Sequence, residues 1–174
     1  MPVVRSSSVE LVCQVQSSHD LAPLQASVRR FLRALGLPSR EQWCVAIAAS
    51  EAASNLVKHA GGGTLSLRLD GGPPPALVLE ALDCGPGFAD IDRALLDHVS
   101  EGVDLVTDEP RRHRRGLGTG LGAIGRMMGT LAVENRPGGG ARVVAIKQLS
   151  RSCSPAGTDS ASTSRQGVLW RRAT

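Results

Sequence analysis

Asp83-Cys84-Gly85-Pro86-Gly87 is the stretch on which the reading turns, because two other segments answer it. Ahead of it, Glu51, Asn55, Lys58 and His59 recur at helical spacing. Behind it comes a second glycine cluster, Gly116-Leu117-Gly118-Thr119-Gly120-Leu121-Gly122. A carboxylate followed at once by a glycine turn suits recognition of a purine edge. A helix face carrying an acid and an amide suits metal and base chemistry, and glycines opening a helix suit phosphate. In that order the three spell a nucleotide site.

Each residue type has its task in such a site. Adenine presents an exocyclic amino donor, which the carboxylate of Asp83 accepts, while guanine offers an acceptor at that edge and is rejected. Gly85 and Gly87 leave out side chains so that a flat base reaches the backbone. Asn55 offers a carbonyl oxygen to Mg2+, a cation that takes few protein ligands and keeps waters and phosphate oxygens. Glu51, one turn earlier, is placed to accept a proton from an attacking hydroxyl or water. Lys58 or His59 reaches for phosphate oxygens from the end of the helix. The run of Gly116, Gly118, Thr119, Gly120, Leu121 and Gly122 ends at a helix N-terminus, whose unpaired N–H groups and dipole attract phosphate. Taken singly, the polar stripe also fits a solvated helix face, and Asp-x-Gly-Pro-Gly also fits an ordinary turn. Gly120-x-Gly122-x-x-Gly125 matches a dinucleotide fingerprint, but an arginine-rich loop precedes it where a strand should. No Walker A lysine follows the glycines either.

Working outward, residues 8–15 alternate apolar and polar and predict a strand. Helical spacing of Leu21, Leu24, Val28, Phe31, Leu32 and Leu35 predicts a helix over 20–35, ended by Gly36. Ser39 with Gln42 resembles a capping box opening a second helix that runs to about Ala60. On that helix Cys44, Ala48, Glu51, Asn55 and Lys58/His59 share one face, which leaves Trp43, Ile47, Ala49, Ala53, Leu56 and Val57 to be buried elsewhere. Strands are expected around 65–69 and over 76–83, with a turn at 71–75 between them. A helix over 91–99, an irregular charged loop over 100–115 and a helix from Gly120 to Met128 follow. Residues 130–135 and 141–149 pair as a closing hairpin. The expected architecture is α+β, a two-layer sandwich with helices on one face of a mostly antiparallel sheet, formed by residues 1–149. From Ser150 the composition shifts to Ser, Thr, Gly and Arg, and residues 150–174 are expected to be a disordered tail.

The composition sets the outer limits. The 174 residues are enough for one ordinary domain. With Phe31, Trp43, Phe88 and Trp170 the only aromatics, the core must come from Leu, Val, Ile and Ala. No apolar run approaches the roughly 20 residues of a membrane span, and residues 1–8 lack a secretory pattern. Cysteines 13, 44, 84 and 153 show no metal-ligand spacing, so a reduced, cytoplasmic setting is expected. The formal charge of +4 admits nucleic acid, a membrane or an acidic partner, or simply the codon usage of a GC-rich genome. Nucleic acid is disfavoured because stacking aromatics are missing. Arg111–Arg115 stand where they neutralise phosphate, dock an acidic partner or sit in solvent, and the sequence leaves these three open.

Glu51-Ala-Ala-Ser-Asn55-Leu-Val-Lys58-His59-Ala60, Asp83-Cys-Gly85-Pro-Gly87 and Gly118-Thr-Gly120-Leu-Gly122 resemble the N, G1 and G2 boxes of the GHKL superfamily. Its members share the Bergerat ATP-binding fold of the histidine kinase-like ATPases. Within it the chain is similar to the small anti-sigma-factor and switch-protein serine kinases of RsbT type, over about residues 8–149. The resemblance implies Glu51 as general base, Asn55 as Mg2+ ligand and Asp83 as adenine reader. Gly85 and Gly87 would shape the base pocket, and Gly118, Gly120 and Gly122 the phosphate lid. It further implies ATP and Mg2+ as cofactors, and transfer of the γ-phosphate to a serine or threonine of a STAS-domain antagonist. The alternative is an anti-sigma factor or switch protein that binds a sigma factor or a PP2C-type phosphatase with little kinase activity. The chain departs from the pattern in a longer, more basic loop over 97–115 and in lacking a Ser/Thr-Gly run before the last glycines. The sequence leaves open whether it works as a monomer or a homodimer.

Overall fold

The computed structural model describes residues 9–95, 99–100, 103–104, 120–149 and 169–172. Among these, α1 (Leu21–Ala34), α2 (Ser39–Ala60) and α4 (Gly120–Met128) lie on a sheet, with the short α3 (Ile91–Leu95) beside α4. The sheet contains β1 (Glu10–Val15), β2 (Gly63–Asp70), β3 (Ala76–Leu82), β7 (Ala141–Gln148), β6 (Thr130–Asn135) and β8 (Leu169–Arg172), in that spatial order. All neighbours pair antiparallel except β6 and β8, which run parallel. A separate two-stranded ribbon joins β4 (Val99–Ser100) to β5 (Val103–Asp104).

The alternation of the strands turns one sheet face to the helices. Leu67, Leu79, Ala145 and Leu131 are register partners across four strands, and all four are buried. Aliphatic side chains from α1, α2 and α4 close over this row, notably Leu24, Val28, Leu32, Val45, Leu56, Leu121 and Ile124. No buried polar side chain interrupts that core among the described residues. The composition required an aliphatic core, and it is one. On the opposite sheet face Arg142 pairs with both Glu80 and Glu134, as cross-strand neighbours of opposite charge do.

Helix α1 is entered through a 3-10 turn (Ser18–Asp20) in which Oδ2 of Asp20 accepts the N–H of Gln16 and of Ser17, both at 2.9 Å. Helix α2 runs the expected length and stops at Gly61, whose φ of +70° is left-handed and costs an L side chain. Its entry differs from expectation. Ser39 and Gln42 form no capping box; the helix follows Pro38, and Nε2 of Gln42 donates instead to the Leu37 carbonyl at 2.7 Å.

Further corrections concern orientation and extent. α2 lies between α1 and α4, so its buried arc is wide and centres on Val45, Ala48, Ala49, Ala52, Ala53 and Leu56. Ala48 therefore belongs to the core rather than to the polar face, and Trp43 and Ile47 point outward instead of inward. Of the helix expected over 91–99, Ile91–Leu95 is helix but Val99 begins a strand, and Ser100 and Val103–Asp104 are strand inside the expected irregular loop. In the segment expected to be a disordered tail, residues 169–172 are a strand, added to the sheet by backbone pairing with β6. Arg111–Arg115 lie outside the described residues.

Candidate nucleotide site

Three chain segments meet at the C-terminal end of α2. Strand β3 ends at Leu82 and delivers Asp83. Oδ1 of Asp83 accepts the N–H of Gly85 at 2.9 Å and that of Ala141 at 3.0 Å, so one carboxylate oxygen is fixed by two backbone donors. Gly85 then passes so close to the helix end that a methyl on it would stand 2.7 Å from the Ala60 side chain. A methyl on Gly63, which opens β2 just after the helix, would likewise stand 3.3 Å from the Asp83 Cβ. The aspartate turn and the end of α2 are thus packed together without room for a side chain between them.

The third segment arrives from the other side. Gly120 begins α4, and a methyl placed on it would lie 3.3 Å from both Oδ1 and Nδ2 of Asn55. Asn55 therefore faces the N-terminus of a nine-residue helix, where the first N–H groups have no partner within the helix. Its carboxamide and the half-buried carboxylate of Glu51 pair with no other described residue. Glu51 lies about one turn before Asn55, about 6 Å along the axis. Leu121 and Gly122 are buried in the core, so what Leu121 offers an anion is its backbone N–H and not its side chain. Lys58 and His59 are exposed in the last turn of α2, where positive charge also complements the helix dipole. Gly116, Gly118 and Thr119 lie outside the described residues.

The closing hairpin supplies contacts that spacing alone did not single out. Asn135, at the end of β6, accepts the Phe88 N–H through Oδ1 at 2.7 Å and donates to the Phe88 carbonyl through Nδ2 at 2.8 Å. Gly87 lies directly beneath, where a methyl would meet the Asn135 Oδ1 at 2.7 Å. Nη1 of Arg136 donates to the Asp83 carbonyl at 2.7 Å and approaches Sγ of the exposed Cys84 at 3.8 Å. The turn after Asp83 is therefore clamped from the β6–β7 side over its whole length. The sequence signal was present but weak: Asn-Arg-Pro-Gly reads as a hairpin turn, and nothing in it announces a partner 47 residues away.

The C-terminal half of α2, the N-terminus of α4 and the Asp83 turn bring a carboxamide, backbone N–H groups and a carboxylate near one another, groups whose chemistry suits a nucleotide. Asn55 provides one oxygen, and no group of three or more His, Cys, Asp or Glu capable of holding a metal exists among the described residues. That donor set fits Mg2+, which relies on few protein ligands when phosphates supply the rest. No described helix is long and apolar enough to cross a membrane.

An α+β sandwich whose central helix carries an asparagine facing a glycine-led helix and ends against an aspartate turn has the layout of an ATPase domain. Residues 16–147 match the histidine kinase-like ATPase domain, and the chain belongs to that family. It is similar to the serine/threonine-protein kinase RsbT of Bacillus subtilis (strain 168), 28% identical over 138 residues that cover 78% of this chain and 94% of the relative. Among solved structures it resembles that of the RsbU and RsbW domains of Rv1364c from Mycobacterium tuberculosis, with a TM-score of 0.54 and 14% identity. The likeness covers 84% of this chain and 33% of that one, and it concerns the fold. The histidine kinase domain of the E. coli osmosensor EnvZ matches more loosely, at a TM-score of 0.41 and 16% identity over 86% of this chain and 95% of that one.

Proposed function

We propose that the chain is an ATP-dependent protein serine/threonine kinase of a partner-switching regulatory module, acting on a serine or threonine of a STAS-domain antagonist. The observation that carries the reading is the junction of Asn55 with Gly120, in the same helix whose end is packed against the Asp83 turn. On this reading Asn55 offers an oxygen to the cation, the N-terminus of α4 offers N–H donors to phosphate, and Asp83 supplies the carboxylate that reads adenine. The RsbT relative, matched over 94% of its length, is named a serine/threonine-protein kinase, which favours transfer to protein.

Bound ATP with Mg2+ supplies the phosphoryl group and neutralises part of its charge. Asp83 holds the adenine edge through the carboxylate oxygen not engaged by Gly85 and Ala141. Asn55 holds the cation. The first N–H groups of α4 receive phosphate oxygens, with Lys58 or His59 adding positive charge. Glu51 accepts the proton of the attacking hydroxyl. Phosphoryl transfer asks a protein mainly for positioning and charge neutralisation, and these residues provide both.

The direct test is incubation of the purified chain with radiolabelled ATP, Mg2+ and a STAS-domain protein encoded beside it. Label on a serine or threonine of that protein supports the kinase. Tight binding of a sigma factor or a PP2C-type phosphatase with no label transferred would replace it with a switch that acts by contact.

A further inference from the structure

A chain with few aromatics leaves one of them in water. Trp43 is 62% exposed on the outer side of α2, and Ile47, one turn further along the same helix, is 39% exposed. The Arg29 guanidinium of α1 sits over the indole, 5.6 Å from the ring centroid, the geometry of a cation–π contact. Beneath the pair runs a cleft of about 180 Å³ between the two helices, lined by Arg29, Arg33, Ser39, Gln42, Trp43 and Ala46. Arg30 and Arg40 are exposed on the same two helices. None of these four arginines pairs with a carboxylate among the described residues.

We propose that this cleft is a docking surface for an acidic segment of a partner protein. The segment sets carboxylates on Arg29 and Arg33 and lays an apolar side chain against Trp43 and Ile47. Trp and Arg are the residue types that carry binding energy at protein interfaces, and burying a half-hydrated indole is favourable. A guanidinium stacked on a ring keeps its in-plane N–H donors, which match a carboxylate bidentately. The charge of the lining selects the occupant: uncompensated cations call for acidic residues, and a basic or neutral segment would desolvate them without return. Single-stranded nucleic acid is the weaker match, because it binds along a row of stacking platforms. Of Phe31, Trp43 and Phe88, Trp43 alone is exposed. The surface is also separate from the nucleotide cleft: Trp43 precedes Asn55 by twelve residues, about 18 Å of helix. The proposal stands whether or not the kinase reading does.

Fluorescence anisotropy tests it with a short labelled peptide of Asp and Glu around one Leu and one Phe. Its Asn/Gln isostere and a thymidine oligonucleotide of equal charge serve as comparisons, all titrated with the full chain. The acidic peptide should bind, and the isostere at least about tenfold more weakly. Trp43→Ala, and separately the double change Arg29→Glu with Arg33→Glu, should each weaken the peptide by about tenfold or more. Their melting temperature should hold, since these positions are solvent-facing. The charge-reversed variant should then prefer a Lys-for-Glu version of the peptide. Trp43→Phe should retain most of the affinity and guards against misfolding as the explanation. Peptide binding that survives both variants overturns the proposal. So does oligonucleotide binding that is equally tight and equally sensitive to them.

Discussion

The Asn135 carboxamide grips Phe88 by both backbone groups, taking its N–H at 2.7 Å and giving to its carbonyl at 2.8 Å. A strand end thereby holds the far side of the turn that starts at Asp83. Arg136, the next residue, holds the near side through the Asp83 carbonyl. The turn after Asp83 owes its shape to the hairpin as much as to its own glycines.

Asn135→Ala should therefore loosen the turn without unfolding the sheet, because Asn135 is exposed. Calorimetry with a non-hydrolysable ATP analogue should show affinity lower by about tenfold, equivalent to about 1.4 kcal/mol. The melting temperature should move little. An unaltered affinity would mean that Arg136 and the packing at Gly87 suffice to hold the turn.

Asp83→Asn separates support from recognition. The amide oxygen can still accept from Gly85 and Ala141, so the turn and the melting temperature should survive. If Asp83 reads adenine as proposed, its free position then carries an NH2 donor against the donor of the base, and ATP binding should be abolished. Micromolar affinity retained in this variant would take adenine recognition away from Asp83.

Glu51→Ala probes chemistry apart from binding. The side chain pairs with no other described residue and is half-buried, so its loss should leave nucleotide affinity nearly intact. Phosphate transfer to the protein substrate should fall on the order of 10²-fold or more, as removal of a general base does. A single-turnover assay that found the rate unchanged would take Glu51 out of the mechanism.

Asp20 gives a pH signature. The Gln16 N–H first, and the Ser17 N–H next, hold its carboxyl below the usual carboxylate value. A folded value below the unfolded one means the contribution to stability is complete above the unfolded value of about 3.9. It disappears as pH falls through the folded one. Asp20→Ala should therefore lower the melting temperature at neutral pH, with the difference from wild type closing in strong acid. Equal differences at about pH 7 and about pH 2 would contradict the assignment.

Local chemistry made much of this readable in advance. The Ser39/Gln42 pattern located the start of a 22-residue helix although no capping box forms there, alternation placed β1 and β2, an apolar run placed β3, and the hairpin signal placed β6 and β7. The order of the three motifs anticipated that Asn55 and Gly120 would meet and that the Asp83 turn would lie at the end of α2; each motif alone also fits an ordinary turn or helix face, and the combination carried the reading. What escaped was set by tertiary neighbours. Trp43 faces solvent because α4 as well as α1 covers α2, and a helical wheel cannot say which flank will be occupied. The Asn135–Phe88 clamp spans 47 residues and leaves no periodic trace. The two-residue strands β4 and β5 are too short to show alternation, and β8 is recruited by the edge of β6 rather than by any pattern of its own.

Gly140, with φ at +87°, opens β7 pressed against the Asp83 carbonyl, where any Cβ would overlap the backbone. Sheet assembly and the nucleotide pocket therefore share a seam with no slack. A lineage carrying this domain has little freedom to remodel one and keep the other. Diversity should accumulate on the outer helices and in the segments around the site, while the seam stays as it is.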